Sequence, residues 1–174
     1  MLIREATASD FQSIVSINAS EEEKTSPLDL ARITQLDSWS TYHRVAIEEE
    51  QVVGFLLVMN NSSGYDGANF RWFVDRYSSF LYVDRIVIDP VYAGMGVGTA
   101  LYFDLIEFAK KQGHVALCCE INLLPPNPVS HAFHARFGFR EVGHSNEADA
   151  LKAVSYQIAV LQPYKWKAKS LSAG

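Results

Sequence analysis

Leu81-Tyr82-Val83-Asp84-Arg85-Ile86-Val87-Ile88-Asp89-Pro90-Val91-Tyr92-Ala93-Gly94-Met95-Gly96-Val97-Gly98-Thr99 is the stretch on which the reading of this chain turns. Apolar residues dominate from Leu81 to Ile88, which predicts a strand stopped by Asp89-Pro90. A helix over 99–112 follows at once, because Leu101, Leu105, Phe108 and Ala109 recur at helical spacing and Gly113 supplies the stop. Between strand and helix stand three alternating glycines, Gly94, Gly96 and Gly98. The first N–H groups of a helix have no acceptor within it, and the helix dipole adds partial positive charge there. Glycines let such a backbone approach a phosphate closely. The segment therefore reads as an anion site over the amides from Gly94 to Thr99.

Three ligand classes use such a loop. A nucleoside-triphosphate P-loop needs Gly-Lys-Ser/Thr at its end, but Gly98 is followed by Thr99 and Ala100. A dinucleotide fingerprint needs a glycine at the sixth position. Thr99 holds it when counting starts at Gly94, and Leu101 when it starts at Gly96. Coenzyme A is the third class. A glycine turn without any ligand is the plain alternative.

Upstream, Ile3 to Ala6 reads as a first strand, and Thr7 with Asp10 as a capping box ahead of Phe11, Ile14 and Val15. Ser26-Pro27 is expected to start a second helix. Tyr42–Glu49 and Val52–Asn60 read as strands joined at Glu50-Gln51, the second apolar enough to be covered on both faces. From Asn61 to Ser79 the chain reads as a long loop carrying Tyr65, Phe70, Trp72, Phe73 and Tyr77; loops of that length in compact domains are usually functional or disordered, and the aromatic content argues against disorder.

Downstream, Val115–Asn122 is a strand and Leu123–Pro126 a loop. Asn127-Pro128 caps and opens a helix that Gly138 ends. Phe139–Val142 and Val154–Val160 complete the strands. Cys118 and Cys119 are adjacent on one strand and so point to opposite faces, which predicts two reduced, buried thiols. These elements form one domain over 1–162, followed by a polar tail over 163–174 whose end is expected to be mobile.

The composition fits a soluble globular protein: of 174 residues, 48% are hydrophobic and 20% charged. The net charge of −5 argues against a nucleic-acid binder, which carries a basic excess. No apolar run approaches the roughly 20 residues needed to span a bilayer, and Met1 to Asp10 lacks a signal-peptide pattern. The expectation is a cytoplasmic protein without membrane or nucleic-acid partners. His131 and His134 have no third ligand at useful spacing, so no metal is expected.

With these residues in place the chain resembles the GNAT superfamily of acyl-CoA N-acyltransferases, over Ile3 to Val160. The resemblance is strongest from Asp84 through Pro90 into Tyr92-Ala93-Gly94-Met95-Gly96-Val97-Gly98. Gly96 and Gly98 match the last fixed positions of the family's Gln/Arg-x-x-Gly-x-Gly/Ala pattern, while Ala93 replaces the Gln or Arg. Asn127-Pro128-x-Ser130 leading to Phe133-His134-x-x-Phe137-Gly138-Phe139 resembles the family's late helix, with His134 where a tyrosine acid is usual. The long aromatic insert is similar to that of a subgroup of acetyltransferases with no settled substrate.

The resemblance implies a mixed α/β (α+β) fold. Its central sheet is mostly antiparallel, splayed between the fourth and fifth strands and flanked by about four helices. It implies acetyl-CoA as co-substrate, with the pantetheine arm in the splay against the backbone of Ile86, Val87 and Ile88. A bulge there would aim an N–H near Val87 at the thioester carbonyl. The coenzyme would be held further by Ala93, Gly94, Met95, Gly96, Val97, Gly98 and Thr99, with Asn127 and Phe133.

Acyl transfer to an amine needs a base, an oxyanion donor and a held pair of reactants. The base candidates are Glu120 and Asp84, on the strands bordering the splay, against the alternative that each is a solvated strand-face carboxylate. His134 is the candidate acid, against the alternative of a histidine packed beside Phe133 and Phe137. Tyr65, Phe70 and Trp72 are expected to wall the acceptor site, or else to form a hydrophobic lid or a homodimer contact. The function expected is transfer of an acetyl group from acetyl-CoA to a primary amine of a small molecule or peptide, by direct attack in a ternary complex. A CoA-binding module without transferase activity is the rival reading.

Overall fold

A computed structural model describes residues 1–22, 25–145, 152–166, 168 and 169. In chain order the elements are β1 (Leu2–Glu5), α1 (Phe11–Ala19), α2 (Leu30–Trp39), β2 (Tyr42–Glu48), β3 (Gln51–Asn60), α3 (Ala68–Arg76) and β4 (Leu81–Ile88). There follow α4 (Val97–Lys111), β5 (Ala116–Leu124), α5 (Pro128–Ala135), β6 (Arg140–His144) and β7 (Ala153–Val160). The seven strands form one sheet in the order β1-β2-β3-β4-β5-β7-β6. Every neighbouring pair is antiparallel except β4 with β5, which run parallel and pair only at Leu81 with Leu117 and Tyr82 with Cys118. Beyond that rung the two central strands diverge, which is the predicted splay.

The sheet is covered on both faces. One face packs Phe11, Ile14 and Ile17 of α1, Ile33 and Leu36 of α2, and Phe70 and Phe73 of α3 against Phe55, Leu57, Met59, Tyr82 and Cys118. The other packs Val97, Leu101, Tyr102, Leu105 and Ala109 of α4 against Leu56, Val58, Leu81, Val83, Leu117 and Cys119. The two cysteines are free and buried, one in each layer, as their adjacency requires. Among the described residues no helix is long and apolar enough to cross a membrane.

In β4 the side-chain alternation is broken once. Leu57 pairs with Arg85 and Val58 with Val83, so Asp84 is an extra residue, a β-bulge. Before it Leu81 and Val83 face α4; after it Ile86 and Ile88 do. The bulge thus lies at Asp84, earlier than the expected position near Val87.

Three further expectations are corrected. The second helix does not start at Ser26: Asp29 is its cap, accepting from the Arg32 amide at 2.7 Å. The Ser26 hydroxyl and carbonyl instead accept from Arg85 at 3.1 and 3.4 Å. The segment 61–79 is not loop throughout, since α3 occupies half of it. β2 and β3 are joined by Glu49 and Glu50, both at positive φ (48° and 66°), one residue earlier than expected. Thr7 and Asp10 do form their box, with the Thr7 amide donating to Asp10 Oδ2 at 2.8 Å, and Arg4 binds the same carboxylate through two nitrogens. After β7 the chain returns to α3. Trp166 stacks on Tyr77 with ring centroids 4.8 Å apart, Ala168 bridges Tyr77, and the Lys169 amide donates to Arg76 O at 2.8 Å. The expected mobile end falls on 170–174, outside the described residues.

Candidate active site

On the α4 side of the sheet the glycine loop turns tightly into the helix. Gly94 and Gly96 have φ of 79° and 86°, and Gly96 is the left-handed N-cap of α4. No atom lies within 4 Å of where a Cβ on either would stand, so both face open space. Gly98 is close-packed instead: a Cβ there would stand 3.3 Å from the Phe133 ring, which would have to give by a few tenths of an ångström. The Ala93 and Met95 amides are committed to Pro90 O and Tyr92 O. The amides of Gly94, Gly96, Val97, Gly98 and Thr99 have no backbone acceptor among the described residues, as the loop and first turn of a helix leave them. Ala93 and Met95 are exposed at the loop's rim and Val97 is buried beneath it.

Asn127 caps α5, its side chain accepting from the Ser130 amide at 3.1 Å. Ile86 and Ile88 face the α4 layer and Val87 the opposite one. Along this stretch β4 has no β5 partner, so its backbone edge is open toward the splay.

On the other face the splay is lined by acid. Asp84 and Glu120 stand at equivalent positions, each two residues past the last β4–β5 pair at Tyr82 and Cys118. Glu120 Oε2 accepts from the Tyr82 hydroxyl at 2.6 Å and Oε1 from the Asn69 amide at 3.1 Å. Glu120 keeps partial contact with solvent yet is surrounded by protein. That burial pushes its carboxyl up to about 7; the Tyr82 hydrogen bond opposes the rise, and the charge of Asp84 adds to it. The Asp84 side chain is buried and accepts from Arg85 Nε at 2.7 Å. The rest of the Arg85 guanidinium is spent on Asn18 Oδ1 at 2.9 Å and on Ser26, so it ties β4 to α1 and the 26–29 loop. Tyr65 leans on the same pair: burial first, then the charges of Asp84 and Glu120, push its phenol well above the usual range.

The expected aromatic wall divides. Tyr65 joins the acidic cluster. Phe70, 2% exposed among Tyr65, Phe80 and Tyr82, is core and not wall. Trp72 stacks on Tyr156 with centroids 4.2 Å apart, over Gly143, and fastens α3 to β7 and β6.

His134 is displaced from its expected role. Its ring is 4% exposed. Nδ1 lies 2.8 Å from the Ser130 carbonyl, which can only accept, so Nδ1 carries the hydrogen. Nε2 therefore accepts from the Tyr102 hydroxyl at 2.7 Å. Burial pulls the imidazole down to about 4, so it is neutral near pH 7 and has no N–H left for a sulfur atom.

Asn69, Tyr82 and Tyr156 were not singled out from the sequence. The signal available was Phe70, Phe73 and Tyr77 at i, i+3 and i+7, which marks a helix and would have placed Asn69 on it.

The pattern of the acetyltransferase (GNAT) family matches residues 4–139. Glucosamine 6-phosphate N-acetyltransferase of Trypanosoma brucei brucei is 34% identical over 59 residues, 34% of this chain and 37% of that enzyme's length. The crystal structure of Ard1 from Thermoplasma volcanium superposes with a TM-score of 0.74 at 19% identity, covering 91% of this chain and 96% of that one. The acetyl-CoA complex of yncA, a putative acetyltransferase from Salmonella typhimurium, superposes at 0.68 with 18% identity, covering 92% and 94%. On the match over residues 4–139, the chain belongs to the acetyltransferase (GNAT) family.

Proposed function

We propose that this protein transfers the acetyl group of acetyl-CoA to a primary amine of a small molecule or peptide, by direct attack in a ternary complex with Glu120 as general base. The observation that carries the reading is the Glu120 carboxyl. It is held at the splay by Tyr82 and Asn69 and raised to about 7, where it can be ionised in the cell and still accept a proton. Coenzyme A binds with its pyrophosphate on the free amides of Gly96, Val97, Gly98 and Thr99, and its arm passes along the open edge of β4. The acceptor enters from the opposite face as an ammonium drawn by Glu120, the carboxylate of the pair that no cation among the described residues neutralises. Glu120 takes one proton, the free amine attacks the thioester carbon, and a backbone N–H of β4 beyond the Asp84 bulge holds the oxyanion. The C–N bond forms, the C–S bond breaks, and the second amine proton ends on the sulfur of coenzyme A.

The rival reading, a CoA-binding module that does not transfer, draws support from His134, whose ring is fully engaged at the position for which the resemblance implies an acid. One experiment separates the two: free thiol release from acetyl-CoA across an amine library, with wild type and Glu120→Gln. Acceptor-dependent release that Glu120→Gln abolishes supports transfer. Coenzyme A binding without release from any amine supports the module.

A further inference from the structure

We infer that Asn69 is a positioning residue for Glu120, fixing the orientation of its carboxylate and favouring its ionised form; the inference rests on the reading of Glu120 as the base. The Asn69 amide has both ends committed. Its Oδ1 accepts from the Tyr156 hydroxyl at 3.1 Å, which turns Nδ2 toward Glu120 Oε1 at 3.1 Å. Tyr82 holds the other carboxylate oxygen at 2.6 Å. Two donors on two different elements, α3 and β4, therefore choose one rotamer of Glu120 and leave the remaining lone pairs for the amine proton.

The tolerance is narrow because the Asn side chain is short and α3 is fastened along its length. Phe70 and Phe73 are sunk in the core, Trp72 is stacked on the ring of the same Tyr156, and Trp166 covers Tyr77 at the helix's end. The groups facing Glu120 are Tyr82, Asp84 and Arg85 from β4, Tyr65 from the segment before α3, Asn69 from α3, Tyr156 from β7, and the buried Cys118 thiol of its own strand. Of these, burial and Asp84 oppose ionisation, while Tyr82 and Asn69 favour it. Removing the Asn69 donor must therefore raise the pH at which Glu120 becomes a base. Replacing it with an isosteric carboxylate must raise that pH further.

The test is the pH dependence of kcat/KM for the acceptor in wild type, Asn69→Leu, Asn69→Asp and Glu120→Gln, with melting temperature followed for each. The rising limb should move upward by about half to one pH unit in Asn69→Leu and by more in Asn69→Asp, with KM for acetyl-CoA unchanged. A helix's first turn tolerates an acid, so Asn69→Asp carries the test even where the leucine variant folds poorly. Folded Asn69→Asp protein with the wild-type limb overturns the inference, whatever its kcat. A limb that survives in Glu120→Gln overturns instead the assignment of Glu120 as base.

Discussion

The two faces of the splay are built by different means. On the α4 side the proposed coenzyme site is made of backbone: amides at a helix start, with two glycines at positive φ, all within about six residues of chain. On the α3 side the acidic site is made of side chains from β4, β5, β7, α3 and the loop before it, and Asn69 and Tyr156, which touch, are 87 residues apart. A backbone site survives most side-chain replacements; a side-chain site fails at single positions. Substitutions on the two faces should therefore differ in kind.

The largest effect is expected at Glu120. Glu120→Gln should lower kcat/KM for the acceptor roughly 100- to 10,000-fold, the range for loss of a general base, with coenzyme A affinity unchanged by calorimetric titration. The same variant should be more stable than wild type. Between the ordinary 4.5 and the raised value near 7, the folded chain retains a proton that the unfolded chain has released. Wild-type stability consequently falls as pH rises through that window and stays low above it. Glu120→Gln should remove this, by roughly 1–3 kcal/mol above neutral pH and by little in mild acid, as read from denaturant titrations. A variant both inactive and less stable at high pH would mean that the carboxylate is structural.

Next in size is the backbone face. Gly96→Val would strain the left-handed N-cap as well as crowd a phosphate, so Gly96→Asn is the sharper probe, because asparagine tolerates that conformation. It should weaken coenzyme A binding about tenfold or more, a loss of roughly 1.4 kcal/mol, with little change in melting temperature. Unchanged affinity would remove the phosphate from this helix start.

His134 lies on the backbone face but should behave as packing. His134→Phe leaves the buried Tyr102 hydroxyl without its acceptor, a cost of about 1–3 kcal/mol, while the rising limb near pH 7 should persist. A drop in kcat of a hundredfold or more with unchanged stability would restore this histidine as the acid.

The smallest effect is expected at Trp72. Trp72→Ala removes the stack on Tyr156 and should lower kcat/KM for the acceptor several-fold, about 1 kcal/mol in transition-state binding, leaving KM for acetyl-CoA alone. Equal losses for both substrates would assign Trp72 to folding only.

The same contrast explains how much was legible in the sequence. The glycine loop, the Asn127 cap, the strand over 81–88 and the opposite-facing cysteines are local features, set by φ, capping and period-two alternation. Each emerged in the structure within one or two residues of its expected place. α3 was missed because Gly64 and Gly67 precede it and Gly67 offers no side-chain cap, so its start imitates a loop. Ser26-Pro27 imitated a helix start, yet Ser26 is claimed by Arg85, 59 residues away. Glu120 and Asp84 were legible as carboxylates bordering the splay. Their joint environment was not, because Asn69, Tyr82 and Tyr156 reach Glu120 only after the sheet and α3 have assembled. His134 stood at the right helical position for an acid, and only the distances to Tyr102 and Ser130 reveal its ring as spent.

The most direct test of Glu120 as the poised group is its own titration, followed by the carbon chemical shift of the side-chain carboxyl in wild-type protein and identified by its loss in Glu120→Gln. A midpoint at about 7 is expected. A midpoint at the ordinary value near 4.5 would contradict it, because such a carboxylate is fully ionised well below neutral pH and is not poised there to exchange the amine's proton.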